Sequence, residues 1–223
     1  MPLDPSYPQA RLVYMLEDAS PSVVITSEEL VEGVPEETLV LALDRAETVA
    51  VLAQEPEVNP RDAYRLGALL PDHPVYVLYT SGSTGQPKSV VGLHRGTLNR
   101  LTWMWQTYPF VPGEACCHKT SFNFVDSVWE IFGPLLQGIP LVLISSNDQE
   151  DVEVFLGLLS KHHVTRIVLV PSLLHTLMET STDFRCALPC LKHWIGSGES
   201  LSTSILEKFE DKLPEGFLGT LQN

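Results

Sequence analysis

Apolar positions recur along this chain with two periods, and the changes from one to the other predict the order of its elements. Leu12, Met15, Leu16 and Ala19 fall at helical spacing, so residues 9–19 read as a helix that Ser20-Pro21 ends. Short β-branched runs at 23–26 and 38–41 read as strands. Residues 55–74 are polar, carry prolines and show no period, which predicts an irregular connector crossing the surface. Val75-Tyr76-Val77-Leu78-Tyr79 is β-branched and aromatic and reads as a buried strand, with a second strand at 89–93. Helical patterns follow at 97–108, 126–136, 151–162, 172–180 and 202–213, with strands at 140–144, 166–170 and 191–195 among them. Strands alternating with helices predict an α/β fold of mixed sheets with flanking helices. No internal repeat or low-complexity tract breaks the pattern.

Composition narrows the class. With 223 residues, 44% of them hydrophobic and 19% charged, the chain is a folded globular one with room for one or two cores. The connector suggests an early α/β segment at 1–72 and a second segment of the same domain at 73–223. No apolar run approaches a bilayer span, and the N-terminus lacks the basic-then-apolar order of a secretory signal; a cytoplasmic protein with no membrane partner is expected. The net charge of −14 is concentrated early, where residues 1–72 hold 14 acids and 4 bases. Such an acidic surface disfavours nucleic acid, and its plainest meaning is a solvated outer layer. Cys116-Cys117 and Cys186-x-x-x-Cys190 are too few and too poorly spaced for a disulfide scaffold. Neither His118 nor His162-His163 completes a zinc-ligand spacing, so reduced thiols and no protein-held metal are expected.

The stretch with the strongest chemical signal is Thr80-Ser81-Gly82-Ser83-Thr84-Gly85-Gln86-Pro87-Lys88, directly after the apolar strand. Gly82 and Gly85 let backbone approach a ligand closely, the four hydroxyls add donors, and successive amides form an anion nest. Lys88 brings a mobile positive charge. The pattern is built to hold phosphate, and the plain alternative is an ordinary Ser/Gly hairpin loop. It differs from the nucleoside-triphosphatase P-loop, because Gln86-Pro87 separates Gly85 from Lys88 and a strand follows.

Together with Tyr79, that stretch resembles the phosphate loop of the adenylate-forming (AMP-binding) enzymes, and more narrowly of the adenylation domains of nonribosomal peptide synthetases. Four further segments agree in order: Pro2-Leu3-Asp4-Pro5-Ser6-Tyr7-Pro8 with the helix after it, Phe124-Val125-Asp126-Ser127-Val128-Trp129-Glu130, Val168-Leu169-Val170-Pro171-Ser172, and Gly196-Ser197-Gly198-Glu199-Ser200-Leu201, which resembles a Gly-Gly-Glu-x-Leu turn. The resemblance implies a fragment of the large N-terminal domain of such an enzyme. It implies ATP held by Thr80, Ser81, Gly82, Ser83, Thr84, Gly85 and Lys88, with Lys88 as the catalytic cation. Magnesium and an acceptor thiol, either coenzyme A or the phosphopantetheine of a carrier protein, belong to the complete enzyme. The adenine and magnesium motif, the ribose aspartate and the lid domain with its catalytic lysine are expected beyond residue 223, so the fragment alone is expected to be inactive.

The resemblance also locates a substrate pocket for a small carboxylic or amino acid, with Phe124, Val125, Asp126, Trp129, Val168, Val170, Ile195 and Gly196 around it. Amino-acid-activating relatives carry an aspartate straight after the aromatic residue, where it pairs with the α-ammonium. Here Val125 takes that place and the aspartate comes one residue later, as Asp126. A buried carboxylate needs a cation, and displacing it displaces the favoured ammonium. The Val125-Asp126-Trp129 combination resembles β-alanine-activating domains of the Ebony type. The plain alternatives are that Asp126 only caps the helix after it and that the apolar positions are core. Glu199 is left open between the nucleotide site and a cap on the helix at 202. Three functions follow from the resemblance: a β-amino-acid adenylating ligase, an acyl-CoA or aryl-acid ligase in which Asp126 is structural, and a non-catalytic truncation that binds nucleotide or a partner.

Overall fold

The computed structural model describes residues 1–81, 86–180, 182–212 and 220–222, arranged in two compact units, Met1–Thr97 and Leu98–Asn223. Helix α1 (Gln9–Ala19) follows the apolar stripe that predicts it, burying Met15 and Leu16. It stops at Ser20, whose φ of 43° turns the chain into the left-handed region while its N–H bonds to the Leu16 carbonyl. Strands β1 (Val24–Thr26) and β2 (Val40–Ala42) pair in parallel, with Val24 opposite Val40. The crossover between them contains a 3-10 turn at Glu28–Gly33, and helix α2 (Ala46–Leu52) follows β2. Neither element is anticipated from the pattern. The connector after α2 holds one 3-10 turn, Asp62–Tyr64, and is exposed throughout 55–71, as expected.

β3 (Pro74–Thr80) and β4 (Lys88–Leu93) form an antiparallel hairpin. The Tyr79 hydroxyl donates to Asp18 Oδ2 at 2.6 Å and so ties α1 to β3. Helix α3 (His94–Thr107) begins three residues before the expected start, directly off β4.

The second unit is built on five parallel strands in the order β6-β5-β7-β8-β9, where β5 is Cys116–His118, β6 Leu141–Leu143, β7 Arg166–Leu169, β8 His193–Gly196 and β9 Thr220–Gln222. Parallel neighbours need crossovers, supplied by α4 (Asp126–Leu135), α5 (Ser146–Glu150), α6 (Val152–Lys161), α7 (Pro171–Glu179), α8 (Phe184–Ala187) and α9 (Thr203–Lys212). The expected helix at 151–162 is α6 alone, because Asp151 turns out of the helix and caps it by accepting from the Glu153 and Val154 amides. The core lies here: Phe155, Leu159, Ile167, Leu174, Leu177 and Trp194 are each 1% exposed or less. Trp194 stacks edge-on against Phe184 and Phe209 at centroid distances of 5.8 and 5.3 Å.

Candidate active site

In the first unit, the hairpin presents the ends of the loop expected to hold phosphate. Thr80 and Lys88 are cross-strand partners, so their side chains leave the same face at the loop end of the hairpin, and both are exposed together with Ser81. The Tyr14 hydroxyl donates to the Pro87 carbonyl at 3.2 Å, which anchors the returning arm of the loop to α1. Gly82, Ser83, Thr84 and Gly85, expected as phosphate ligands, lie outside the described residues. Hydroxyls on one arm and an ammonium on the other suit a phosphate chain.

In the second unit, the residues expected around a substrate gather at the carboxyl ends of the parallel strands, where α/β sheets bind ligands. Val168 and Ile195 are paired across β7 and β8, and Gly196 pairs with Leu169 one step further along. Val170 immediately precedes α7 and is 37% exposed. Asp126 occupies the first turn of α4 but does not cap it: the N-cap residue is Val125, and no side chain bonds to the helix amides there. Instead Asp126 Oδ1 accepts a hydrogen bond of 3.0 Å from the Ser197 hydroxyl, just beyond β8. Phe124 and Val125 are 63% and 39% exposed, whereas Trp129 is half-buried.

Arg100 of α3 stands 4.6 Å from the Trp103 ring centroid and 5.8 Å from that of Trp129. Burial lowers the pKa of its guanidinium, and the charge of Asp126 acts in the opposite direction. A narrow cleft is lined by Arg100, Trp103, Met104, Tyr108, Arg166 and Ile195. Of these, Arg166 is ion-paired: it gives two hydrogen bonds to Glu114, at 2.5 and 3.0 Å, and two more to the Tyr108 and Pro109 carbonyls.

A further carboxylate holds the approach to Asp126. Glu130 accepts from the Lys119 amide at 3.1 Å and from both the amide and the hydroxyl of Thr120 at 2.9 Å, while the Lys119 ammonium stands 3.4 Å away. Ser127 donates to the Phe124 carbonyl at 2.7 Å and closes the same loop onto α4. Neither Glu130 nor Ser197 nor Arg100 is picked out by sequence reasoning, since each acts on a segment brought near it by folding. Glu199 accepts from the Ser172 amide and hydroxyl at 2.9 and 3.0 Å, at the start of α7. The four cysteines are free, and burial pushes the Cys116 thiol up to about 12. Among the described residues no three His, Cys, Asp or Glu side chains gather as metal ligands. None of the helices described is long and apolar enough to cross a membrane.

Comparison with known proteins gives this geometry a family. The β-alanyl-bioamine nonribosomal peptide synthetase ebony of Drosophila melanogaster is 35% identical over 222 residues, which is 97% of this chain and 25% of that protein. A dimodular nonribosomal peptide synthase of Bacillus subtilis (strain 168) is 36% identical over 220 residues, 96% of this chain and 9% of its own length. This chain thus spans a quarter or less of either relative. Among solved structures, the nonribosomal peptide synthetase FmoA3 (S1046A) superposes with a TM-score of 0.73 at 25% identity, over 100% of this chain and 23% of that one. The O-succinylbenzoate coenzyme A synthetase MenE of Bacillus subtilis, in complex with AMP, shares the fold with a TM-score of 0.73 at 17% identity, over 94% of this chain and 51% of its own. The model of the AMP-binding enzymes matches residues 1–221, and the chain belongs to that family of adenylate-forming enzymes.

Proposed function

We propose that this chain supplies the phosphate loop and the acid-binding pocket of an ATP-dependent ligase that activates an amino acid, β-alanine foremost, as an acyl adenylate. The observation that carries the amino-acid reading is the carboxylate of Asp126, which is half-buried, leaves its own helix uncapped and is held by Ser197 at the carboxyl edge of the sheet. A carboxylate drawn out of water in this way favours a cation, and a substrate ammonium provides one. Its place one residue beyond that of α-amino-acid-activating domains suits an amine set one carbon further from the reacting carboxylate. The similarity to a β-alanyl-bioamine synthetase supports the same choice. Trp129, Val168, Val170, Ile195 and Gly196 form the apolar surroundings, with Phe124 and Val125 at the exposed rim.

Thr80, Ser81 and Lys88 fit the phosphates of ATP, the hydroxyls as donors and the lysine as a charge that steadies the departing pyrophosphate. Gly82, Ser83, Thr84 and Gly85 complete that loop in this proposal. When bound, ATP supplies the phosphoanhydride whose α-phosphorus the substrate carboxylate attacks. No residue of this chain is assigned to magnesium. The acyl group then passes to a thiol, that of a carrier protein or of coenzyme A.

The test is substrate-dependent ATP–pyrophosphate exchange by the longest natural polypeptide that contains residues 1–223, with β-alanine, α-alanine and propionate. Exchange is expected to be greatest with β-alanine. Asp126→Ala is expected to lower kcat/KM for β-alanine about a hundredfold, the worth of a charge-assisted contact of about 2–3 kcal/mol, and to lower that for propionate far less. Equal losses on the two acids refute the amine contact and favour an acyl- or aryl-acid ligase.

A further inference from the structure

We infer that Tyr14 is a positioning residue for Lys88: its hydroxyl, reaching the hairpin from α1, fixes the peptide that carries the lysine and so aims the ammonium at bound phosphate. The inference rests on the phosphate role of Lys88 given above. The Tyr14 hydroxyl donates to the Pro87 carbonyl at 3.2 Å, across 73 positions of sequence. That carbonyl and the Lys88 amide belong to one planar peptide. Holding the oxygen therefore restrains rotation about the Lys88 N–Cα bond, which sets the direction in which the side chain leaves. The Lys88 carbonyl is reached from across the ladder by the Thr80 hydroxyl, at 3.5 Å. Tyr79 faces α1 and is 8% exposed, so Thr80 beside it takes the opposite face, and Lys88, the partner of Thr80, leaves by that same exposed face. Tyr14 thus stands behind the hairpin, with its hydroxyl committed to Pro87, and acts on a ligand only through Lys88.

The same helix holds the other strand. The Tyr79 hydroxyl donates to Asp18 Oδ2 at 2.6 Å, with the Met15 carbonyl 3.3 Å away. Tyr14 and Asp18 lie one turn apart on one face of α1, so a single turn grips β3 through Asp18 and the approach to β4 through Tyr14. Burial raises the pKa of the Tyr79 phenol and Asp18 raises it further, so the hydroxyl keeps the proton it donates. The helix is itself held by Met15 and Leu16, which are buried on the face between. A lysine side chain has four rotatable bonds and loses much freedom when its ammonium settles on a ligand. Fixing its root narrows the volume the ammonium searches, which lowers the cost of placing it against a phosphate.

The test uses ATP–pyrophosphate exchange by the longest natural polypeptide containing residues 1–223 and reads the KM for ATP and the KM for β-alanine separately. Y14F removes one hydroxyl and keeps the ring. It is expected to raise the KM for ATP about fivefold, the effect of one neutral hydrogen bond, and to leave the KM for β-alanine within about twofold of wild type. K88A is expected to raise the KM for ATP about twentyfold, the effect of a charge-assisted contact. In a K88A background Y14F is expected to add nothing, because the tyrosine acts only through the lysine. An unchanged KM for ATP in Y14F, equal rises in both KM values, or an undiminished effect of Y14F in K88A overturns the role of Tyr14 while leaving the Lys88 reading standing. A KM for ATP unchanged in K88A, or no exchange by the wild-type polypeptide, overturns the Lys88 reading and the inference with it.

Discussion

Glu114 and Arg166 show how a single pair governs the response of the second unit to acid. Burial alone would raise the Glu114 carboxyl, but the hydrogen bonds and charge of Arg166, with the Val111 amide, hold it below the usual carboxylate range. A folded-state pKa below the unfolded one stabilises the protein fully above the unfolded value, about 4.3 for Glu, and that contribution is lost as pH falls through the folded value. Glu114→Gln is expected to cost about 3 kcal/mol at pH 7 in urea unfolding, because it leaves the Arg166 charge buried and unpaired. Below the unfolded value, towards pH 3, the gap between variant and wild type is expected to narrow, since the unfolded chain then binds at Glu114 a proton that the native state resists; a constant gap would refute the linkage. None of this is legible in the sequence, where Glu114 and Arg166 look like ordinary charged residues 52 positions apart. Asp126 is legible because its neighbours form a contiguous motif, whereas its partner Ser197 is not.

At the scale of elements, the β3–β4 hairpin depends on a glycine. Tyr76 and Gly92 are cross-strand partners, and the Tyr76 ring lies over Gly92 so closely that an added Cβ would fall 2.1 Å from its Cζ. Gly92→Ala therefore has to drive the ring away and is expected to destabilise the chain by about 1–3 kcal/mol, seen as a lower urea midpoint. Removing the obstacle in Y76A/G92A is expected to abolish the cost of the alanine relative to Y76A alone; persistence of that cost would place its cause elsewhere. Long elements with a full apolar stripe, such as α1, stand where the pattern predicts them. Those that escape sequence reasoning are short: α2, β5, α5, α8 and β9. A strand such as Cys116–His118 spans too little of a period to announce itself, and it exists because β6 and β7 pair with it on either side.

Across the whole molecule, protection is unevenly spread. The amides of Ile167, Leu169 and Trp194 lie in paired strands of the buried core, whereas 55–71 is exposed, with Tyr64 at 72% and Leu66 at 109%. Limited trypsin digestion is expected to cut after Arg65 before it cuts within 152–180, and hydrogen exchange to be slowest at those three core amides. An earliest cut after Lys161 or Arg166 would show that the stability is distributed otherwise. The sequence by itself determined the α/β class and the family, because each is written in periodicity or in contiguous residues. Only the tertiary structure decided the parallel order of the five strands, the release of Asp126 from capping duty, the use of Glu199 on α7, and the contacts of Ser197 with Asp126 and of Glu130 with the Lys119 amide. These depend on pairings between residues far apart in the chain, whose partners are set by the packing of whole elements and leave no local pattern to read.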